Sequence, residues 1–321
     1  MFPLHLLFLI TLVLGSLVAI NASSWLVAWV GLEVNLLSIL PVMAVESTSG
    51  AAESCLKYFL VQSMASLIIL ISSVFVFTSV LFMSVSFIFI GLSIKLGVAP
   101  FHYWFPMVLE GLGWWSCLLL MTWQKLAPLF LLSFVKMLFV LVMLTSLVGA
   151  LGGFGQTSIR KILAFSSVNH VGWMMAGLLC GVWVGMVYFG IYFFLSVLIV
   201  ISLYSFKMFH LSHVGESSFF LKMVLLVNFL SLGGMPPLLG FFPKWFVMES
   251  LLWEFLMLSV VLIFSSLVSL YFYLRLMYPS LLLKYIGSEA ETGVGWYMIG
   301  VVSLFFLSSG GFFCYPLLSN L

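Results

Sequence analysis

Long apolar runs, each about as long as a lipid bilayer is thick when helical, follow one another through almost the whole chain. A helix of about 20 apolar residues crosses the hydrocarbon core. The 321 residues are 64% hydrophobic and only 6% charged, which leaves too few polar side chains for a soluble surface. The runs also far exceed the alternating strands of roughly ten residues found in membrane barrels. The sequence therefore predicts an all-α polytopic membrane protein.

The runs predict about eleven transmembrane helices. Two of them, the fourth and the ninth, are too long for one straight crossing, and both are interrupted by glycine and proline. The fourth contains Gly97 and Pro100, and the ninth contains Gly234 and Pro236. The predicted spans cover residues 2–20, 24–44, 56–77, 81–110, 114–133, 135–151, 159–180, 182–206, 219–253, 255–278 and 295–315.

The two interrupted spans occupy equivalent places in the chain. Each is the fourth of five spans, which predicts two five-helix repeats. An odd number of crossings per repeat inverts the second repeat, and paired interrupted helices are typical of transport sites in such folds. We therefore predict a first antiporter-like repeat over 1–133, a second, inverted repeat over 134–278, and a loop with one C-terminal transmembrane helix over 279–321.

The distribution of basic residues predicts the orientation. If the N-terminus lies on the positive side of the membrane, that side receives almost all lysines and arginines of the connecting segments, and the opposite side receives Lys136 alone. The positive-side residues are Arg160, Lys161, Lys207, Lys222, Arg275 and Lys284. The C-terminus is then expected on the opposite side.

The chain has no recognisable motif for a metal or a nucleotide. Its four cysteines, Cys55, Cys117, Cys180 and Cys314, are scattered singly, and there is no aspartate, glycine-rich nucleotide fingerprint or P-loop. Iron–sulfur and zinc sites need clustered Cys or His ligands. Any redox or nucleotide chemistry is therefore expected in other chains.

Several charged residues lie inside the apolar runs instead of between them. Glu33 lies in the second span, Lys95 in the fourth, Lys125 in the fifth and Lys244 in the ninth. A charge at the centre of a bilayer costs about 2.5–3.5 kcal/mol on insertion scales, and such residues commonly mark ion or proton pathways. The sequence therefore predicts that these four side chains move protons or ions.

The residues alone leave other interpretations open. Lys95 and Lys244 can also be lysines that reach a headgroup near a helix end, and Glu33 can be a structural counter-ion for Lys95. His170, in the seventh span, can pass a proton between its two ring nitrogens, or it can be a hydrogen-bonded core histidine. A stand-alone cation/proton antiporter and a purely structural subunit both remain possible functions.

Six segments together resemble the NADH dehydrogenase subunit 2 family of mitochondrial respiratory complex I, whose members are antiporter-like. The segments are WVGLEVNLLSILPV, KYFLVQSMASLI, SIKLGVAPFHYWFP, MTWQKLAPLFLL, GGFGQTSIRKILAFSSVNHVGWM and LSLGGMPPLLGFFPKW. They follow in order over about three-quarters of the chain. The resemblance implies a proton-translocating subunit of the membrane arm, with electron transfer from NADH to ubiquinone taking place in other subunits.

The resemblance also assigns roles to individual residues. It implies that Glu33 and Lys95 form a modulating ion pair, that Lys125 is the central relay, and that Lys244 lies on the route to the opposite face. His170 matches the histidine of the family's SS-x-x-H segment. One departure is Met107, since the family often has an acidic residue at this place; this leaves the acidic entry group on the matrix side without an assignment.

The resemblance further implies a location and partners. It implies a multi-pass protein of the mitochondrial inner membrane, with the N-terminus in the matrix and the C-terminus in the intermembrane space. The expected partners are other membrane-arm subunits of complex I and membrane lipids such as cardiolipin, with no nucleic acid. No cofactor is expected in this chain, because NADH, FMN, iron–sulfur clusters and ubiquinone are expected in partner subunits.

Overall fold

The computed structural model describes residues 2–45, 48–76, 81–135, 139–205, 219–236, 238–252 and 255–282. The predicted C-terminal helix at 295–315 lies outside these residues. So do Cys314 and three of the basic residues used for the orientation, Lys136, Lys207 and Lys284.

The described part of the chain is helical throughout, without a β-strand. In chain order the helices are α1 (Phe2–Ile20), α2 (Trp25–Ala44), α3 (Ser49–Val76), α4 (Leu81–Leu96), α5 (Trp104–Gly111), α6 (Trp114–Met121), α7 (Trp123–Leu132), α8 (Phe139–Gly152), α9 (Ile159–Cys180), α10 (Val182–Ser205), α11 (Phe219–Gly233), α12 (Phe241–Leu251) and α13 (Leu256–Leu282). Six helical stretches of this part are long and apolar enough to cross a membrane. The prediction of an all-α polytopic fold is confirmed, whereas the number of spans and the inversion of the second repeat stay predictions.

The predicted interruption of the fourth span is confirmed, and it lies between α4 and α5. Gly97 has φ +74°, a left-handed conformation that favours glycine. Its N–H donates to Ile94 O at 3.1 Å, and the N–H of Val98 donates to Ser93 O at 2.9 Å. These two bonds form a Schellman motif, which satisfies carbonyls that the end of a helix leaves free. The indole of Trp104 also donates to Ile94 O, at 3.1 Å.

The predicted interruption of the ninth span is confirmed as well, and it ends α11 with the same motif. Gly234 has φ +80°. Its N–H donates to Ser231 O at 3.0 Å, and the N–H of Met235 donates to Leu230 O at 3.2 Å. Both interrupted spans therefore end their first half-helix in a left-handed glycine, because only that residue accepts this backbone conformation without strain.

Two boundaries differ from the prediction. Helix α3 begins at Ser49, seven residues before the predicted start of its span, because Thr48 caps it: the Thr48 side chain accepts the N–H of Ala51 at 3.2 Å. The fifth span, predicted as one straight helix, is kinked at Thr122, between α6 and α7. The Thr122 hydroxyl donates to Leu118 O at 2.6 Å, and Pro128, six residues further along, supplies no N–H; both features bend helices.

The described residues form two compact units, one up to Thr145 and one from Ser146 onward. In the first unit, α1 and α2 approach closely at Gly31, where an added Cβ meets the backbone nitrogen of Ala19 at 2.5 Å. Small residues permit such backbone contact between membrane helices. In the second unit, α9 is almost entirely buried between its neighbours. The predicted boundary between the repeats, at 133–134, is not tested by this division.

Candidate functional site

The three lysines inside the membrane spans are all buried, although a lysine side chain is long enough to extend its amine towards the membrane surface. Lys95, Lys125 and Lys244 are 8%, 3% and 6% exposed. Each lies beside a helix interruption: Lys95 in the last turn of α4, Lys125 in the first turn of α7, and Lys244 in the first turn of α12. Their burial within the protein argues against side chains that reach the headgroups.

Lys95 borders a small polar cavity in the first unit. Beside Lys95, the cavity is lined by polar side chains of α2, α3 and α7, and by Leu32, Leu36 and Pro128. The polar residues are Asn35, Tyr58, Gln62 and Gln124. About 10 Å³ is open to the centre of a water molecule, which is close to the minimum space for one water.

The polar residues of this cavity are joined by hydrogen bonds. The Tyr58 hydroxyl donates to Gln124 Oε1 at 3.3 Å, and Gln124 Nε2 donates to Asn35 Oδ1 at 3.1 Å. Gln62 Nε2 donates to the backbone oxygen of Lys95 at 3.4 Å, which satisfies another carbonyl at the end of α4. Lys95 therefore lies beside a hydrogen-bonded group of polar side chains inside an apolar helix bundle.

Glu33 acts on Lys95 from a distance. Its carboxylate is close enough to interact electrostatically with the Lys95 ammonium, but the two groups do not form an ion pair within 4.0 Å. Glu33 Oε2 is buried without a hydrogen-bond partner among the described residues. The direct ion pair expected from the resemblance is therefore not formed in this structure, whereas the exposed pair of Glu53 and Lys57 on α3 is closed at 2.6 Å.

Lys125 is held against the second half of the broken fourth span. Its Nζ lies 4.8 Å from the ring centroid of Phe105, on α5, within the distance at which a cation is attracted to an aromatic face. Phe105 lies eight residues after Gly97, in the first turn of α5. The interruption of the fourth span thus positions both Lys95, on one side of the break, and the aromatic ring that contacts Lys125, on the other.

Lys244 reaches back across the second interruption. Its Nζ donates to Gly233 O at 2.7 Å, so the amine meets the last carbonyl of α11, where a helix end favours positive charge. The same Nζ lies 5.8 Å from the ring of Trp173, on α9. Lys95 belongs to the first half-helix of its span and lies in its last turn. Lys244 belongs to the second half-helix of its span, and its amine reaches back to the carboxyl end of the first.

His170 is buried in the second unit among hydroxyl groups. Its Nδ1 is 2.8 Å from the Tyr188 hydroxyl, and its ring is 4.9 Å from the ring of Tyr192. Either atom of the His170–Tyr188 pair can donate, depending on which ring nitrogen carries the proton.

These groups can hold and exchange protons, and they do not form a metal site. Among the described residues, no three histidine, cysteine or carboxylate side chains lie close enough to hold a metal ion. The three amines lie at or beside backbone interruptions, where protein groups replace the missing helical hydrogen bonds.

The chain matches the family model described as NADH:quinone oxidoreductase/Mrp antiporter, transmembrane, over residues 22–81 and 78–270. It is 44% identical over 294 residues to NADH-ubiquinone oxidoreductase chain 2 of Anopheles gambiae, covering 87% of this chain and 86% of the relative. The chain belongs to the NADH-ubiquinone oxidoreductase chain 2 family. Its similarity extends to the chain 2 protein of Branchiostoma lanceolatum, at 34% identity over 310 residues, with 90% and 89% covered.

Solved structures share the fold of this chain 2 family member. A chain of respiratory complex I from Thermus thermophilus is similar with a TM-score of 0.81 and 24% identity, over 96% of this chain and 78% of that chain. A chain of the Mrp complex from Dietzia sp. DQ12-45-1b gives a TM-score of 0.81 at 15% identity, over 97% and 75%. At these identities the comparison establishes the fold alone.

Sequence reasoning singled out the charged residues and missed the polar side chains around them. Tyr58, Gln62 and Gln124 beside Lys95, and Tyr188 beside His170, were not predicted as site residues. A signal was available, because an amide in an apolar membrane helix is costly unless it has a partner. It did not indicate which helices would supply those partners.

Proposed function

We propose that this chain is a proton-translocating membrane-arm subunit of NADH:ubiquinone oxidoreductase, complex I, in the mitochondrial inner membrane. Protons or charge are relayed along Glu33, Lys95, Lys125, Lys244 and His170. Electron transfer takes place in partner subunits, and this chain holds no redox centre. The N-terminus faces the matrix and the C-terminus faces the intermembrane space. Other membrane-arm subunits and lipids such as cardiolipin surround the chain.

The observation that carries this proposal is the burial of three lysines at helix interruptions in a member of the chain 2 family. A purely structural role explains them poorly, because each charge costs about 2.5–3.5 kcal/mol at the membrane centre. Replacing a buried ionic group by apolar residues is often neutral or stabilising. Buried amines retained at helix interruptions therefore favour a role in proton transfer.

The separation of Glu33 and Lys95 suggests how coupling starts. At an effective dielectric constant near 20, two unit charges attract by about 4 kcal/mol at 4 Å and by about half that at twice the distance. Closing or opening the gap therefore changes the free energy of the charged amine by about 2 kcal/mol, or more than tenfold in its proton affinity. A shift of α2, driven by a neighbouring subunit, is enough to load or release a proton at Lys95.

The change of charge at Lys95 then affects the other lysines by electrostatic coupling. Lys125 lies on α7, which packs against both α4 and α2 in the first unit. A proton gained or lost at Lys95 changes the electrostatic potential at the Lys125 amine. A proton gained at Lys95 therefore favours the loss of a proton from Lys125, and a proton lost at Lys95 favours a gain at Lys125. Lys244 and His170 receive the charge in the second unit. Each step moves only a proton, so no electron carrier is required in this chain.

The fold similarity to a chain of the Mrp complex favours one alternative, a stand-alone cation/proton antiporter. Sodium sites in transporters use unwound carbonyls and carboxylates, whereas this chain has no aspartate and, among the carboxylate, lysine and arginine side chains of the described residues, the buried ones are lysines. Its relatives at 34–44% identity are NADH-ubiquinone oxidoreductase subunits. The complex I subunit is therefore the better assignment. An isolated chain that exchanges sodium for protons in liposomes contradicts it.

The proposal is tested by Lys125→Met in the intact complex reconstituted in proteoliposomes. Methionine keeps the volume and removes the charge. We expect NADH-driven proton translocation and coupled turnover to fall, because the central proton carrier is lost. Lys57→Met is the matched control, since Lys57 is an exposed lysine of the same unit. It is expected to leave both rates unchanged.

A Lys125→Met complex that assembles normally and pumps with full rate and full proton stoichiometry contradicts the proposal. Equal losses in Lys125→Met and Lys57→Met contradict it too, since they indicate a general effect of removing a lysine from this subunit.

A further inference from the structure

Helices α9 and α10 face each other with a row of groups that can both donate and accept protons. On α10, Tyr188 and Tyr192 are one turn apart and share a face. On α9, Ser167 and His170 are three residues apart and share a face as well. All four side chains are buried, with at most 5% exposed. We call them the hydroxyl–imidazole cluster.

The members of the cluster form two neighbouring pairs, His170 with Tyr188 and Ser167 with Tyr192. His170 Nδ1 and the Tyr188 hydroxyl are 2.8 Å apart. The Tyr192 hydroxyl lies beside the Ser167 side chain, and the Ser167 hydroxyl donates to Ala164 O at 2.7 Å. The rings of His170 and Tyr192 lie 4.9 Å apart. The pairing is that of an antiparallel helix hairpin, since the partner numbers rise on one helix as they fall on the other.

One end of the cluster lies close to Lys244. Trp173, one turn beyond His170 on α9, stacks on Tyr188 with centroids 6.2 Å apart and planes at 10°. Lys244 Nζ lies 5.8 Å from the same indole ring. Trp173 Nε1 and Asn169 Oδ1 are buried without hydrogen-bond partners among the described residues. Buried polar atoms of this kind are normally bridged by water, which can complete the connection.

The Ser167 end of the cluster is the end nearer to the start of α9. At a rise of about 1.5 Å per residue, Ser167 lies about 12 Å along α9 from its first residue, and Trp173 lies about 21 Å along it. Arg160 and Lys161 stand at that beginning. Along α9 the cluster spans about 4.5 Å, from Ser167 to His170, and it lies between the basic end of α9 and the level of Trp173.

Hydroxyls and imidazole are suited to carry protons over such a distance. A hydroxyl accepts one proton and releases another, and a neutral imidazole accepts at one nitrogen and releases from the other. We propose that the hydroxyl–imidazole cluster is the inner segment of a proton path that leads from the basic end of α9 to Lys244. The proposal deepens the proposed function and rests on it, because it assigns proton-carrying roles to Ser167, Tyr188 and Tyr192.

A structural explanation competes with this proposal. A buried tyrosine usually finds one hydrogen-bond partner, and the hydroxyls can simply satisfy the histidine and the serine. The two explanations differ in what the loss of one hydroxyl does. If the hydrogen bonds only stabilise the helix pair, the loss of one hydroxyl reduces assembly of the complex. If the bonds carry protons, the loss slows proton transfer and increases the solvent isotope effect on turnover.

The test uses Tyr188→Phe in the intact complex in proteoliposomes. Phenylalanine keeps the ring that stacks on Trp173 and removes the hydroxyl that meets His170. A positioned proton-transfer group contributes about 10²–10⁴-fold to its step, so we expect a marked fall in NADH-driven proton translocation per assembled complex. The ratio of turnover in H₂O to that in D₂O is expected to rise. Tyr278→Phe, which removes an exposed hydroxyl, is the matched control.

The comparison with Lys125→Met separates the two proposals. If Lys125→Met loses pumping while Tyr188→Phe keeps the full rate and an unchanged isotope ratio, the proton path is wrong and the proposed function stands. If both variants pump fully, the proposed function fails, and the path with it. If Tyr188→Phe does not assemble, Tyr192→Phe removes the hydroxyl beside Ser167 and is judged by the same readouts.

Discussion

Replacing Gly234 by alanine tests whether the amine of Lys244 must meet the carbonyl of Gly233. The added Cβ lies 2.8 Å from Lys244 Cδ, 3.0 Å from Nζ and 3.1 Å from Cε. These separations are too short for van der Waals contact. The lysine side chain is flexible and is expected to move away, and its Nζ then leaves the oxygen that it contacts at 2.7 Å.

The expected magnitude has two parts. A residue other than glycine in the left-handed conformation costs about 1–2 kcal/mol, and Gly234 has φ +80°. A hydrogen bond to a charged group contributes about 1.5–3 kcal/mol, and this is the part specific to Lys244. If the bond holds the amine in its working position, its loss corresponds to a population decrease of about 10- to 150-fold.

Gly97→Ala provides the matched control. Gly97 has φ +74°, so alanine meets the same backbone strain there. Its added Cβ has Phe105 Cβ as the nearest atom, at 3.6 Å, which is an ordinary contact and displaces no lysine. Both variants are expected to reduce the amount of assembled complex on native gels to a similar extent.

Only Gly234→Ala is expected to lower NADH-driven proton translocation per assembled complex, by at least about tenfold if the bond is required. Equal translocation by the two variants would refute the reasoning, because the position of the Lys244 amine at the end of α11 would then not matter for its function.

Two further predictions concern the first unit. Gln124→Met removes both hydrogen bonds of Gln124 and leaves Tyr58 and Asn35 unsatisfied, so we expect about 1–3 kcal/mol of destabilisation. The measurement is the unfolding temperature of the purified complex, which is expected to be lower for Gln124→Met than for the control variant Gln156→Met. Gly31→Ala places a Cβ 2.5 Å from the backbone nitrogen of Ala19, whereas at Gly190 no atom lies within 4 Å. We therefore expect Gly31→Ala, and not Gly190→Ala, to reduce assembled complex on native gels; equal amounts would contradict the close approach of α1 and α2.

The helix interruptions could be predicted because their cause is local. Gly97 and Gly234 adopt left-handed backbone conformations, and the prolines after them cannot continue a helix. The same locality explains the success of the helix bounds at α1 and α9, where apolar composition alone decides. The kink at Thr122 escaped prediction, because threonine tolerates a straight helix and bends it only when its hydroxyl bonds back to the preceding turn.

The surroundings of the charged residues could not be predicted in the same way. Gln124 bonds to Tyr58 and Asn35, which are far from it in sequence and on two other helices. Such partners depend on which helices are neighbours and how they are rotated. The sequence indicates only that a buried amide needs partners. The open gap between Glu33 and Lys95 depends on the same packing and was likewise not predictable.

The measurement that tests the central claim most directly is the number of protons translocated per NADH oxidised by the complex that carries Lys125→Met, beside that of Lys57→Met. The account predicts impaired translocation when the buried amine is removed and normal values when the exposed amine is removed. Normal rate and stoichiometry for Lys125→Met would show that buried amines at helix interruptions do not carry protons in this subunit.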